Sequence, residues 1–175
     1  NPHQVANYLE GQYRGKSDLM PNRDLRAYIA GFLDGDGCLM AQLVRRSGYI
    51  RGYQIRLSIV FYQKKQNNHF LVWLKRYLKH GYIRERNDGM AEYTIVGLKA
   101  VKESLIKIYP YLRLKKKLAE IILEISDMPR KLSTKNFLRY CRLADKTAKY
   151  TYSKKRTKTV KEVIEYLANN KILTP

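Results

Sequence analysis

Small residues at four-residue intervals run through an apolar helical segment of this chain, which ends at two acidic residues. Ala27, Gly31 and Gly35 recur at i, i+4 and i+8, so they share one helix face. Glycine inside a helix costs about 1 kcal/mol relative to alanine, and we infer that this face packs closely against another backbone. Asp34 and Asp36 fall where the helix dipole is negative, which predicts a nearby cation such as a divalent metal ion. The alternative is a surface helix that ends in an ordinary Asp-Gly turn.

The net charge narrows the class of partner. Thirty-five Lys and Arg oppose fifteen Asp and Glu, which gives +20 over 175 residues. This surplus implies a polyanion, and both nucleic acid and an anionic membrane surface fit it. No apolar run approaches the ~20 residues that span a bilayer, and no signal peptide is visible. Cys38 and Cys141 are too few and too far apart for a disulfide framework or a zinc site.

The chain pattern predicts an α+β fold. Residues 1–21 are polar and are expected to form an arm, and residues 22–175 are expected to form a single domain. Two alternating runs, 38–46 and 53–62, predict a β-hairpin, and a weaker hairpin turns at Asn87-Asp88-Gly89. Helices are predicted at about 23–34, 66–78, 98–108, 115–127 and 134–148, and Thr159 with Glu162 predicts a capping box that opens a last helix. The order is α-β-β-α-β-β-α with helices appended, which is typical of antiparallel strands covered on one face.

The outward faces of the predicted strands are rich in arginine and glutamine and contain no lysine and no acid. Arginine pairs bidentately with guanine, and glutamine with adenine, in the major groove, which a twisted β-ribbon can enter. The alternative is a solvated sheet face. The predicted base-reading residues are Gln42, Arg46, Gln54, Arg56, Ser58, Arg84 and Arg86, with Tyr49 at the hairpin tip.

Two basic segments follow the predicted sheet. Four cations lie within Arg113–Lys117, where a helix is predicted to begin; cations are unfavourable at a helix N-terminus, which suggests an external anion. Residues 146–161 hold seven cations and no acid. Such runs are often disordered tails, but the tyrosine, serine and threonine residues between the cations suggest phosphate contacts instead.

The nine residues 29–37, Ile-Ala-Gly-Phe-Leu-Asp-Gly-Asp-Gly, resemble the LAGLIDADG motif of homing endonucleases. The resemblance is to the single-motif group encoded in organellar ribosomal-RNA introns, and it runs from about Arg23 to Leu167. It implies the family's α-β-β-α-β-β-α fold with an antiparallel DNA-binding sheet and extra C-terminal helices. It also implies that Asp36 and the carbonyl of Gly35 bind metal.

The resemblance implies further roles in catalysis and binding. Gln63 would position water at the scissile phosphate, and Lys115 would stabilise charge there. The family often has a basic residue four positions after the glutamine, where this chain has Asn67. A loop that contacts the DNA backbone falls in the basic segment, with Ser153, Lys154 and Lys158 as candidate contacts.

One motif supplies one aspartate, whereas a duplex has two strands to cut. The resemblance therefore implies a homodimer that cleaves a pseudo-palindromic site. Its expected interface comprises Ala27, Ala30, Gly31, Asp34 and Gly35. The expected cofactor is Mg²⁺, with Ca²⁺ or Mn²⁺ substituting for binding. The expected partners are double-stranded DNA and a second copy, with no membrane and no small-molecule substrate.

Two alternatives from another class remain, an intron RNA maturase and a non-cleaving DNA- or RNA-binding protein. A ribosomal-type RNA-binding protein explains the charge but not the small-residue helix that ends in acids. The presence of Asp36 favours cleavage. The resemblance places the protein in an organelle, the chloroplast first and the mitochondrion as the alternative.

Overall fold

Two β-hairpins form one antiparallel sheet in this protein, and helices cover one of its faces. The computed structural model describes residues 22–151 and 158–172, so the arm predicted over 1–21 lies outside the described residues. The helices are α1 (Asn22–Asp36), α2 (Asn68–Leu78), α3 (Leu98–Ile108), α4 (Lys116–Ser126), α5 (Thr134–Lys146) and α6 (Val160–Asn169). The strands are β1 (Gly37–Arg45), β2 (Tyr53–Lys64), β3 (Tyr82–Glu85) and β4 (Met90–Val96).

The sheet has the strand order β1-β2-β4-β3, and every pairing is antiparallel. The predicted α+β class and the α-β-β-α-β-β-α order are confirmed. Several boundaries shift by a few residues, and one shift affects the site: the alternating pattern predicts that β2 ends at Tyr62, whereas the strand continues to Lys64. Gln63 therefore lies inside the strand rather than after it, since pairing with Ala91 of β4 keeps this segment extended.

Alternate residues of each strand supply the core. Leu39, Leu57 and Ile95 point to the helix-covered face and are fully buried. Helix α1 lies on this face, and its Phe32 stacks on Phe61 of β2, with 5.8 Å between ring centroids. Burial of such side chains contributes roughly 1.5–3 kcal/mol each, so α1 is held firmly against the sheet.

The corner between α1 and β1 is tight enough to require glycine. A Cβ on Gly37 would lie 2.4 Å from Cδ1 of Leu33 and 2.8 Å from its Cα. The close approach lets the chain pass directly from the helix into the strand. The acidic end of α1 is thereby fixed at one end of the sheet.

The capping box predicted from Thr159 and Glu162 is present at the start of α6. The Glu162 carboxylate accepts hydrogen bonds from the backbone N–H and the hydroxyl of Thr159. In the described part of the chain, no helix combines the length and the apolar character needed to cross a bilayer.

Candidate active site and nucleic-acid interface

Asp36 is the last residue of α1, and its side chain is exposed. Strand β1 starts one residue later with Gly37 opposite Phe61, so Asp36 lies at the end of the sheet that also carries Tyr62 and Gln63. Within residues 22–151 and 158–172, no side chain or backbone N–H is bonded to its carboxylate. An exposed carboxylate without a partner, on a rigid helix end, is available to bind a cation.

Asp34, two residues earlier, has the opposite environment. It is only 7% exposed, and its carboxylate accepts hydrogen bonds from the backbone N–H groups of Arg113 (2.7 Å), Leu114 (3.2 Å) and Lys115 (2.9 Å). These are the N–H groups that precede α4, so Asp34 caps that helix from a distant part of the chain. The sequence suggests that this basic cluster binds an external anion. The backbone N–H groups of the cluster do not need one, because the Asp34 carboxylate already accepts their hydrogen bonds.

The predicted dimer interface needs two corrections. Asp34 is occupied by the turn at 113–115, and Ala30 is completely buried against the core of its own chain. Neither side chain is therefore free to meet a second copy. Ala27, Gly31 and Gly35 are exposed, and a Cβ on either glycine would meet no atom within 4 Å. These three residues remain the predicted interface.

Lys115 lies beside the end of α1. Its ammonium group donates a hydrogen bond to the backbone carbonyl of Asp34 at 2.5 Å. Burial raises the pKa of the nearby Cys38 thiol, and the charge of Lys115 opposes that rise. The structure thus brings Lys115 close to the helix end that carries Asp36, where the family resemblance implies that it lies.

Gln63 reaches the same end of the sheet from β2. Its Oε1 accepts a hydrogen bond from Nδ2 of Asn67 at 3.1 Å, so the amide has a fixed orientation. Burial raises the pKa of the adjacent Tyr62, and Cys38 and Glu92 raise it further. Sequence reasoning did not include Cys38 or Tyr62 in the site. Their positions at the paired ends of β1 and β2 were the available signal.

The sheet face opposite the helices carries most of the predicted base-reading residues. Gln42 pairs with Arg56 across β1 and β2, and the Arg46 guanidinium donates to Oε1 of Gln54 at 3.2 Å. Ser58 lies on this face but is only 2% exposed, because strands pair on both of its sides. Its predicted contact with a base does not fit this structure, because almost none of the residue is exposed.

The expectation that this face contains no acid is also wrong. Strand β4 brings Glu92 opposite Arg84, and their side chains form an ion pair at 2.8 Å. Arg86 lies 3.8 Å from the same carboxylate and 2.7 Å from Asp88. The Glu92 side chain is 12% exposed, whereas that of Arg84 is 63% exposed. The less exposed Glu92 carboxylate therefore pairs with both arginines, whose side chains remain more exposed.

Helix α6 braces the tip of the first hairpin, which carries the exposed Tyr49. The Arg45 guanidinium lies 3.7 Å from the ring centroid of Tyr166 and 5.2 Å from that of Tyr53. Gly52 has φ +64°, and a Cβ there would lie 2.2 Å from the Tyr166 ring. Sequence reasoning missed this contact, because nothing local links residue 166 to residue 52.

The basic segment before α6 is described only in part. Lys158 is exposed, whereas Ser153 and Lys154 lie outside the described residues. The Val160 N–H donates to the carboxylate of Asp145 at 2.7 Å, which ties the start of α6 to the end of α5. The end of the segment that carries Lys158 is therefore anchored.

Comparison with known proteins agrees with this geometry. Residues 29–127 match the family described as "LAGLIDADG endonuclease", and this range includes Asp36, Gln63 and Lys115. The chain is 37% identical to the DNA endonuclease I-CvuI of Chlorella vulgaris over 142 residues, which are 81% of this chain and 88% of that protein. This chain belongs to the LAGLIDADG endonuclease family.

Other members of the LAGLIDADG family extend the comparison. The DNA endonuclease I-CreI of Chlamydomonas reinhardtii is 32% identical over 159 residues, which cover 88% of this chain and 97% of that one. The crystal structure of I-CvuI in complex with its target, in the presence of Ca, superimposes with a TM-score of 0.83 at 34% identity and covers 87% of this chain and 98% of that one. The predicted resemblance and fold are therefore confirmed.

Among the described residues, no group of three His, Cys, Asp or Glu side chains could hold a metal ion. The exposed Asp36 carboxylate and the Gly35 carbonyl are oxygen donors, the class that Mg²⁺ and Ca²⁺ prefer. They fit such an ion when further oxygens come from outside the chain, for example from phosphate, water or a second copy.

Proposed function

We propose that this LAGLIDADG protein is an intron-encoded homing endonuclease that binds a long pseudo-palindromic DNA site as a homodimer. It cuts both strands with a divalent metal ion, for which Mg²⁺ is proposed. The observation that carries the proposal is the exposed Asp36 carboxylate, which has no partner among the described residues and lies near Lys115 at the end of a helix that packs on the sheet. In a protein that only bound DNA, an exposed acid without a cationic partner would repel the phosphates and weaken binding.

Each side chain of the site has a chemical role in this proposal. Asp36 and the Gly35 carbonyl would hold the metal ion, which when bound supplies Lewis-acid stabilisation of charge on the scissile phosphate. Lys115 places an ammonium group beside the same phosphate and stabilises the charge that develops there. Gln63 has its Oε1 occupied by Asn67, so its amide N–H groups are left to orient a water molecule.

Asn67 lies at the position where the family often has a basic residue, and its contact indicates a different role. Asn67 carries no charge, and its side chain is engaged with Gln63. We therefore assign it the orientation of the glutamine rather than a phosphate contact. The positive charge near the scissile phosphate then comes mainly from Lys115.

The sheet supplies recognition in this proposal. Gln42, Gln54, Arg56, Arg84 and Arg86 share the face away from the helices, and Arg46 and Tyr49 extend it at the hairpin tip. Arginine and glutamine on a twisted ribbon suit the edges of bases in the major groove. Lys158, with Ser153 and Lys154 beyond the described residues, would contact the DNA backbone and fix the register.

A second copy completes the enzyme. The exposed surface of Ala27, Gly31 and Gly35 allows two α1 helices to approach closely around a two-fold axis. Their acidic ends then lie side by side, with one Asp36 for each strand. Bound cations relieve the repulsion between the two carboxylates. The algal organisms of the two relatives, together with the resemblance to the intron-encoded group, support residence in an organelle, and we propose the chloroplast.

The decisive experiment uses the purified chain and plasmids that carry ribosomal-RNA gene fragments without introns. Linear product is expected in Mg²⁺, whereas binding without cutting is expected in Ca²⁺. The Asp36→Asn variant is the matched control, since it keeps the shape and loses the charge. Specific binding with no cutting by the wild type in Mg²⁺ or Mn²⁺ would reject the nuclease and favour the non-cleaving binder.

A further inference from the structure

Asp34 joins two parts of the chain that carry the reactive groups. Its carboxylate accepts three backbone hydrogen bonds from Arg113, Leu114 and Lys115, at 2.7 to 3.2 Å. Its own backbone carbonyl accepts the Lys115 ammonium at 2.5 Å. One residue therefore fixes both the backbone and the side-chain nitrogen of Lys115.

Among residues 22–151 and 158–172, no other side chain caps the turn at 113–115. Helix α4 has no acid in its first turn, and Lys115 at its N-cap position makes no side-chain capping bond. Lysines at this end are unfavourable for the helix dipole. The buried Asp34 carboxylate compensates, so the path of the turn depends on it.

The same residue is tied to Asp36 by covalent geometry. Asp34 and Asp36 are two residues apart at the end of α1, where Leu33 and Phe32 pack on the core. The Asp34 bonds therefore set the separation between the Asp36 carboxylate and the Lys115 ammonium. Displacements of about 1 Å in such an arrangement cost about 100-fold in rate.

We propose that Asp34 is a positioning residue for phosphodiester cleavage, which holds Lys115 at a fixed place relative to Asp36. The inference rests on the proposed nuclease function. It assigns the two aspartates of the motif different tasks. Asp36 would bind the metal ion, whereas Asp34 would hold the turn at 113–115 and Lys115 in place.

The test compares Asp34→Asn with wild type by single-turnover cleavage in Mg²⁺ and by DNA binding in Ca²⁺. The amide keeps the size of the side chain but loses the charge and turns one acceptor oxygen into a donor that faces an N–H group. We expect cleavage to slow at least about tenfold, while the Kd for DNA changes by less than about threefold. Asp127→Asn is the matched control, because Asp127 lies at the other end of α4 and, among the described residues, its carboxylate pairs with the exposed Lys102. It is expected to cleave at the wild-type rate.

A double-mutant cycle separates positioning from stability. In a Lys115→Met background, Asp34→Asn is expected to slow cleavage by less than about threefold, because the group that it positions is gone. If Asp34 only stabilised the fold, its effect would be equal in both backgrounds. Asp34→Glu keeps the charge and both oxygens, so it should cleave faster than Asp34→Asn, and it serves as the second variant if the asparagine chain does not fold.

The outcomes distinguish the two proposals. A wild-type protein that cuts DNA while Asp34→Asn cuts equally fast overturns the positioning role alone. Equal losses in the wild-type and Lys115→Met backgrounds overturn it as well. A wild-type protein that binds its target but never cuts it overturns the nuclease function, and the positioning role with it.

Discussion

Replacing Gly31 with leucine should leave the folding of the single chain intact while it weakens the association of two chains. Gly31 is exposed within α1, and a Cβ there would meet no atom of its own chain within 4 Å. Removing glycine from a helix interior stabilises it by up to about 1 kcal/mol, so the monomer should fold at least as well as wild type. The added side chain projects from the surface proposed to meet a second α1.

The cost to the dimer follows from its symmetry. Each overpacked contact costs roughly 1–3 kcal/mol, and a two-fold axis brings the substitution into the interface twice. The expected loss is about 2–6 kcal/mol, which weakens association by about 30-fold to about 20,000-fold. An interface of a few small residues has little room to absorb this change.

Sedimentation velocity over a range of protein concentrations, without DNA, measures the dimer constant directly, and thermal melting followed by circular dichroism reports folding. Gly37→Ala is the contrasting variant, because its Cβ would lie 2.8 Å from the Cα of Leu33 and so disrupts the fold rather than the interface. A Gly31→Leu chain that melts like wild type and sediments as a dimer at every concentration would refute the α1 interface.

Three other predictions follow from the site and its supports. Asp36→Asn should abolish cleavage and keep specific binding in Ca²⁺, which a gel-shift assay run beside a cleavage assay will show. Arg84→Ala should relax base choice at one position by ~1–3 kcal/mol, whereas Lys158→Ala should weaken binding to all sequences, as base-substitution profiles will reveal. Thr159 lowers the pKa of Glu162 by hydrogen bonds from its hydroxyl and backbone N–H. This stabilisation is complete above the unfolded pKa of about 4.3 and is lost as the pH falls through the lower folded value, so the advantage over Glu162→Gln in urea unfolding should disappear in acid.

The elements and the two faces of the sheet are predictable from local sequence. Alternation of apolar and polar residues is a property of extended backbone, so the pattern alone assigns Leu39 and Leu57 to the core and Gln42 and Arg56 to the other face. Helix starts can also be predicted from local sequence, because the two residues of a capping box, here Thr159 and Glu162, are only three positions apart. The family resemblance then predicts that Asp36 and Lys115 belong to one site.

Sequence reasoning failed where a contact joined distant segments. The partners of Asp34 lie 79 to 81 residues away, and nothing near either segment identifies them. One local signal was available, since Asp34 follows the buried Ala30 by four residues and so shares its inward face. Glu92 was missed for a similar reason, because only the pairing of β3 with β4 brings it under Arg84.

The ion pairs beneath Arg84 and Arg86 bear on how such a protein would search a genome. Roughly 10⁶–10⁹ arbitrary sequences compete with one target, and bare cations are attracted to the phosphates of all of them. An arginine that is paired with Glu92 gains little binding energy from a phosphate of non-target DNA, because it must break one ion pair to form another. A guanine in the right place can form two hydrogen bonds with the guanidinium and thus offers more than a phosphate does. If Arg84 and Arg86 read bases as proposed, Glu92 would lower the affinity of the sheet for non-target DNA more than its affinity for the target.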